Sequence, residues 1–198
     1  MIQNQNSQSV PEIKNYIMII QNKILLYRNT LVERIKAKNE GIENCLKQNN
    51  LEMAKDKMKS ILHTEDMISV FDILTLDYEI LEDRVTYIIS NVECPPDIRV
   101  NLDNIIYASR KIDISEFQVF RDLICRKYGP IYIHKAEANI DKLININLVE
   151  KLKNRFFSDI YLIIRLKQLC KERNIQFEFP VKNNNKDDEN NIKNKEID

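Results

Sequence analysis

The stretch "SILHTEDMISVFDIL" places His63, Glu65 and Asp66 within four consecutive positions of a 198-residue chain that has only two histidines. An imidazole beside two carboxylates could hold a divalent metal or relay a proton. A helical metal motif, however, sets two histidines four apart on one face with a carboxylate between them, and here the second histidine, His134, lies in another segment. Acid/base chemistry needs polar groups converging on a pocket, and the flanking sequence supplies none. The competing reading is one face of a helix, and the surrounding elements decide between the two.

Those elements are helical. Only Gly41, Gly129 and five prolines punctuate the chain, too few for a strand-and-turn architecture. From Pro11, which suits a first helical position, apolar side chains recur at Ile13, Ile17, Ile20, Ile24, Tyr27, Leu31, Ile35, Ile42 and Cys45, in steps of three, four or seven. This predicts one amphipathic helix of roughly 37 residues, about 55 Å long. Asn49 and Asn50 then supply turn chemistry, with Asn50 a candidate N-cap.

A second stripe runs through Ala54, Met58, Ile61, Ile68, Phe71, Leu74, Tyr78, Leu81, Val85 and Ile88, until Pro95 and Pro96 stop it. Two long helices joined by a tight turn bury their stripes only by lying antiparallel. Folding about Asn49 and Asn50 pairs positions whose numbers sum to about 99, setting Ile68 opposite Leu31, Leu74 opposite Ile24 and Leu81 opposite Ile17. Glu65 then falls on the seam opposite Arg34, with Lys38 one turn away. This predicts an ion pair that fixes register, with Asp66 pointing outward and His63 on a flank.

Shorter helices are expected over "DIRVNLDNIIYASRKI", "ISEFQVFRDLICRKYG" with Gly129 as its stop, "IYIHKAEAN", "INLVEKLKNRF", and "SDIYLIIRLKQLCKERN" with Ser158 as N-cap. The fold class is therefore all-α, a long antiparallel hairpin with shorter helices packed against it. Residues 1–10 read as a flexible N-terminus, 11–180 as one helical domain, and 181–198 as a polar tail too poor in apolar groups to order itself.

Thirty basic residues balance thirty acidic ones, so general nucleic-acid binding has no electrostatic support. Cys45, Cys94, Cys125 and Cys170 show no metal-ligand spacing and read as small apolar residues in a reducing compartment. No basic leader followed by an apolar run opens the chain, so a cytosolic protein is expected. No metal or cofactor is expected.

Three segments, "AKDKMKSILHTEDMISVFDILTLDYEILEDRV", "NIIYASRKIDISEFQVFRDLICRKYG" and "IRLKQLCKERNIQFEFP", stand in an order and spacing that resemble the ESCRT-III-like "increased sodium tolerance" family, over roughly residues 11 to 180. The acidic pair at Glu65 and Asp66 is part of that likeness. The resemblance implies a non-enzymatic scaffold that binds ESCRT-III subunits of the charged multivesicular body type. It further implies regulation of the AAA ATPase that dismantles ESCRT-III filaments, in endosomal sorting, membrane remodelling and cytokinesis, with a cytoplasmic location peripheral to endosomal membranes.

It also implies peripheral membrane contact or hetero-polymerisation through basic residues of the first helix, here Lys14, Lys23, Arg28, Lys36 and Lys38. That helix carries seven bases and four acids, whereas Glu65 to Asp83 holds seven acids and no base. On an exposed helix such charges also serve plain solvation. A groove formed by Glu65, Asp66, Asp72, Leu162, Arg165, Leu166 and Leu169 is expected to take a Leu-rich partner helix. The family's C-terminal Leu motif, which docks into the MIT domain of the ATPase, has no counterpart in "NNIKNKEID". Asp159, Leu162, Arg165, Leu166 and Leu169 fit its pattern, but their spacing is also that of a core-facing helix, and packing is the expectation. Two other classes remain open at this point: a coiled-coil adaptor without ESCRT function, whose last helix would not fold back, and an enzyme using His63 or His134.

Overall fold

The computed structural model describes residues 3–153 and 155–180, so the tail assigned to 181–198 lies outside the described residues. The described chain is helical: α1 (Gln3–Lys47), α2 (Leu51–Asp83), α3 (Val85–Ser90), α4 (Pro96–Ser109), α5 (Ser115–Tyr128), α6 (Pro130–Ala138), α7 (Ile146–Lys151) and α8 (Asp159–Glu172).

α1 and α2 form the antiparallel hairpin. The chain reverses through Asn49, whose φ of 58° is the left-handed conformation that asparagine tolerates. Asn50 then caps α2, its side chain accepting a hydrogen bond from the Met53 amide at 3.0 Å. The register is close to expectation: Lys38 meets Ser60, Tyr27 meets Phe71, Arg28 meets Asp72 and Gln21 meets Glu82. Ile13, Ile17, Ile20 and Ile24 of α1 and Val70, Leu74, Tyr78 and Leu81 of α2 are buried between the helices.

Two boundaries differ from the sequence reading. α1 begins before Pro11, which sits inside the helix instead of opening it. The second stripe is not one helix to Ile88: the backbone breaks at Arg84 and resumes as α3. An apolar stripe continues across such a break because one residue of changed ψ leaves the next turn facing the same core.

The shorter helices cover the hairpin from two sides. α3 and α5 lie against α1, while α4, α7 and α8 lie against α2, and α6 bridges α4 and α5. Gly129 ends α5 with φ 85°, the conformation for which glycine carries no Cβ penalty. The buried side chains form two separate clusters. The larger joins the open end of the hairpin to α3–α7, with Phe117 and Phe120 against Tyr78. The smaller sits at the hairpin tip, where Leu162, Leu166, Leu169 and Cys170 of α8 pack on Ile42, Cys45, Ala54, Met58, Ile61 and Leu62.

Candidate partner-binding surfaces

The acidic residues of α2 reach other partners than the hairpin seam offers. Ser158 caps α8, and its hydroxyl accepts from the Tyr161 amide at 3.3 Å. The capped helix crosses α2, and Arg165 donates from one nitrogen to both Glu65 oxygens at 2.8 and 3.0 Å. Arg34 is exposed and makes no ion pair among the described residues, so the expected Arg34–Glu65 seam pair is corrected to Arg165–Glu65. The hairpin has the expected register, but Glu65 projects toward α8, which offers a competing guanidinium.

Asp66 likewise does not point outward. It is 7% exposed and accepts from Lys151 at 3.1 Å and from Arg155 at 3.0 Å. Both cations come from α7 and the segment after it. A buried carboxylate is tolerable only when paired in this way. His63 is exposed, its ring edge-on to Phe157 with centroids 4.9 Å apart. His134 lies on α6, exposed and on another element. Among the described residues no three metal-ligating side chains come together.

α7 itself is placed by a buried amide chain. Asp77, 5% exposed, accepts from Asn101 at 2.8 Å and from Asn104 at 3.0 Å, and the Asn104 oxygen accepts from the Asn145 amide that opens α7. Burial pushes the Asp77 carboxyl up to about 6, against the opposing pull of the two asparagine donors. Sequence reasoning missed this network. Its signal is a carboxylate beside the apolar stripe at Leu74 and Tyr78, matched by two asparagines three apart on α4.

The groove expected around Leu162, Leu166 and Leu169 is already occupied. These side chains are buried in the tip cluster, so α8 packs on the hairpin through them. The family-like pattern from Asp159 to Leu169 is therefore a core-facing stripe, and Asp159 itself pairs with Lys55 at 3.1 Å. What remains beside α8 is a narrow cleft bounded by Asn39, Glu65, Arg165 and Glu172.

An open groove lies instead between the middle of α1 and α2. Gln21, Asn22, Leu25 and Arg28 on one side and Asp72, Thr75, Leu76 and Glu79 on the other enclose about 560 Å³. Leu25 and Leu76 are 57% and 62% exposed, and Met18 and Ile80 extend the same apolar strips one or two turns further. Asp72 is held by Arg28 at 2.6 Å. Leu25 and Met18 stand seven apart, well off the buried α1 stripe. That second strip is the sequence signal for the groove, and it was overlooked because one apolar stripe already accounts for a hairpin.

The basic residues of α1 are mostly engaged. Lys23 pairs with Glu116, Lys36 with Glu33 and Lys47 with Glu43, while Lys38 donates to the Ser60 hydroxyl. Lys14 is exposed without an ion pair among the described residues. Lys14, Lys23, Arg28, Lys36 and Lys38 thus form no single basic stripe. Among the described residues no helix is long and apolar enough to cross a membrane.

A family model described as Ist1, regulator of Vps4 activity in the MVB pathway, matches residues 14–176. The IST1-like protein of Dictyostelium discoideum is 22% identical over 141 residues, which cover 71% of this chain and 38% of that relative, so the chain spans well under half of the relative's length. The crystal structure of the S. cerevisiae Ist1 N-terminal domain in complex with the Did2 MIM motif superposes with a TM-score of 0.78 at 16% identity, covering 85% of this chain and 94% of that one. At that identity the likeness is one of fold.

Proposed function

The chain belongs to the Ist1 family, regulators of Vps4 activity in the MVB pathway, and we propose on that premise that it is a non-enzymatic scaffold that binds ESCRT-III subunits and thereby modulates the AAA ATPase. The partner would be a subunit of the charged multivesicular body type. Its C-terminal amphipathic helix is proposed to lie in the α1/α2 groove. The observation that carries this reading is the pair of exposed leucines, Leu25 and Leu76, facing one another across a groove edged by Asp72 and Glu79. Such a groove accepts leucines spaced at i, i+3 and i+4 on an incoming helix, and Glu79, beside an Asp72 already paired with Arg28, suits a basic residue of that helix. The solved relative, similar in fold, carries a MIM motif as its partner.

The fold-back of α8 supports this reading over a coiled-coil tether, because the tip cluster closes with residues such a tether would leave exposed. With Leu162, Leu166 and Leu169 buried, direct docking of α8 into an MIT domain is not favoured, and the ATPase would be reached through the ESCRT-III partner. The location that follows is cytoplasmic, at the periphery of endosomal membranes, with sorting, membrane remodelling and cytokinesis as the processes served.

The test is a titration of a fluorescently labelled C-terminal peptide of such a subunit, read by anisotropy. Binding in the micromolar range is expected. Leu25→Asp or Leu76→Asp should weaken it by about tenfold or more, since a charge would then be buried against the incoming leucines. Ile164→Asp, on the exposed side of α8, should leave it unchanged. Loss with Ile164→Asp alone would move the site to α8, and no anisotropy change with any subunit's peptide would defeat the proposal.

A further inference from the structure

α8 is apolar along two opposite lines. Leu162, Leu166 and Leu169 are buried against the hairpin, which accounts for the docking of the helix at the tip. On the far side Ile160 and Ile164 stand one turn apart, 67% and 54% exposed, and Phe156, in the non-helical link that leads into α8, is 91% exposed. Single apolar residues on a surface are ordinary, whereas neighbouring ones mark a contact. A helix that served only to cover the hairpin tip would turn polar residues to this side. Ile160, Ile164, Lys167 and Lys171 follow one another at i, i+4, i+7 and i+11, so they share one face, about 16 Å long.

The charge of this face is as uneven as its apolar content. From Lys151 to Arg173 the chain carries seven bases and two acids, although its total charge is balanced. Lys151 and Arg155 hold Asp66, Lys153 pairs with Glu150, and Arg165 pairs with Glu65. Lys167 and Lys171 have no carboxylate partner among the described residues, and Lys167 Nζ lies 5.6 Å from the centroid of the Phe179 ring. Both acids of the segment lie off this face: Asp159 meets Lys55, and Glu172 accepts from Gln168. The outer face of α8 is thus apolar at its N-terminal end and positive, without counter-charge, at its C-terminal end.

A helix lying in a bilayer interface carries its lysines on the flanks, from which they reach water. Lys167 and Lys171 instead continue the line of Ile160 and Ile164, so a bilayer contact would press them toward the acyl chains. A protein groove that is apolar along its floor and acidic at its rim meets the whole line. We propose that the outer face of α8 docks into the Met-lined, acid-rimmed groove that an EF-hand protein opens on binding calcium, with Phe156, Ile160 and Ile164 on the floor and Lys167 and Lys171 at the rim. Methionine side chains adapt to anchors of unlike shape, here two β-branched residues and an aromatic one. Such a groove is exposed only in the calcium-loaded state. The hairpin face of α8 takes no part, so the tip cluster stays closed and the α1/α2 groove stays free.

Fluorescently labelled, calcium-loaded calmodulin is the probe, titrated with the full chain and read by anisotropy. One-to-one binding in the micromolar range is expected, weakened at least about tenfold by a calcium chelator. Ile160→Asp/Ile164→Asp should lose about tenfold or more while melting as the parent does, because both positions face solvent. Lys167→Glu/Lys171→Glu should lose about threefold or more, a loss that shrinks as salt screens the charges. Leu25→Asp/Leu76→Asp, in the α1/α2 groove, should bind calmodulin as the parent does, so this proposal and the ESCRT-III reading fail separately. No anisotropy change with calcium-loaded calmodulin, binding that survives the chelator, or equal losses in the two apolar double variants would overturn the proposal. Pelleting with phosphatidylserine vesicles that Ile160→Asp/Ile164→Asp abolishes, in the absence of calmodulin binding, would also overturn it and give the face to a membrane.

Discussion

Arg165 of α8 closes on Glu65 of α2 with one guanidinium nitrogen 2.8 and 3.0 Å from the two carboxylate oxygens, linking elements 100 residues apart in sequence. The pair is about one-third exposed on each side, so solvent screens it. A double-mutant cycle with Glu65→Ala and Arg165→Ala should return a coupling of about 0.5 to 1.5 kcal/mol in urea melts. The same cycle on Arg34 and Glu65 should return none, and equal coupling in both would mean that Glu65 divides itself between the two arginines.

The hairpin seam carries far more of the stability. Ile24 and Leu74 are 1% and 0% exposed, on facing helices. Replacing either with Asp leaves a carboxylate in an apolar seam with no cation in reach, at a cost of about 3 to 5 kcal/mol. Thermal melts check this directly: a variant that melts within a few degrees of the parent would show that the seam is mispaired.

Asp77 gives stability a pH dependence whose sign is the reverse of an ordinary ion-paired carboxylate. Its folded pKa, about 6, lies above the ordinary aspartate value of 3.8. The fold thus favours the protonated form, the associated stability is complete below pH 3.8, and it is lost as pH rises through 6. The full span is about 3 kcal/mol. Comparing the parent with Asp77→Asn between pH 5 and 7 isolates the contribution, because the other carboxylates are common to both. The parent should gain relative to the variant as pH falls, and parallel curves would exclude the shifted carboxyl.

Tyr78 is buried among Phe117 and Phe120, and its hydroxyl has no hydrogen-bond partner among the described residues. An unpaired buried hydroxyl costs about 1 to 3 kcal/mol. Tyr78→Phe should therefore be neutral or up to about 2 kcal/mol more stable in urea. A loss of more than about 0.5 kcal/mol would reveal a partner such as an ordered water.

The hairpin was legible in the sequence because its determinants are local. The stripe through Ile13, Ile17, Ile20 and Ile24 repeats at helical period, Asn50 caps as asparagine does, and Gly129 and Ser158 mark their helix ends. The Ist1-type fold followed from the same segments. The destinations of Glu65 and Asp66 were not legible, because they depend on where α7 and α8 return, and that is fixed by side chains 85 to 100 positions away. A seam residue with a cation opposite looks paired until a third helix presents another cation. The Leu25–Leu76 groove was hidden for a related reason: it needs two strips from different helices, neither of which stands out alone.

The two apolar clusters have a mechanical consequence. α1 is 45 residues long, about 68 Å, and it is gripped near one end by α3 and α5 and near the other by the α8 cluster. Between those grips α1 lies along α2, which Lys151 and Arg155 hold in turn at Asp66. Bending the rod there would have to stretch the backbone ladder of α1 and compress that of α2 together, a coupled deformation far stiffer than flexing either helix alone. Force applied at the tip is thereby carried along the full length to the helices at the open end with little lost to curvature, as in a strut.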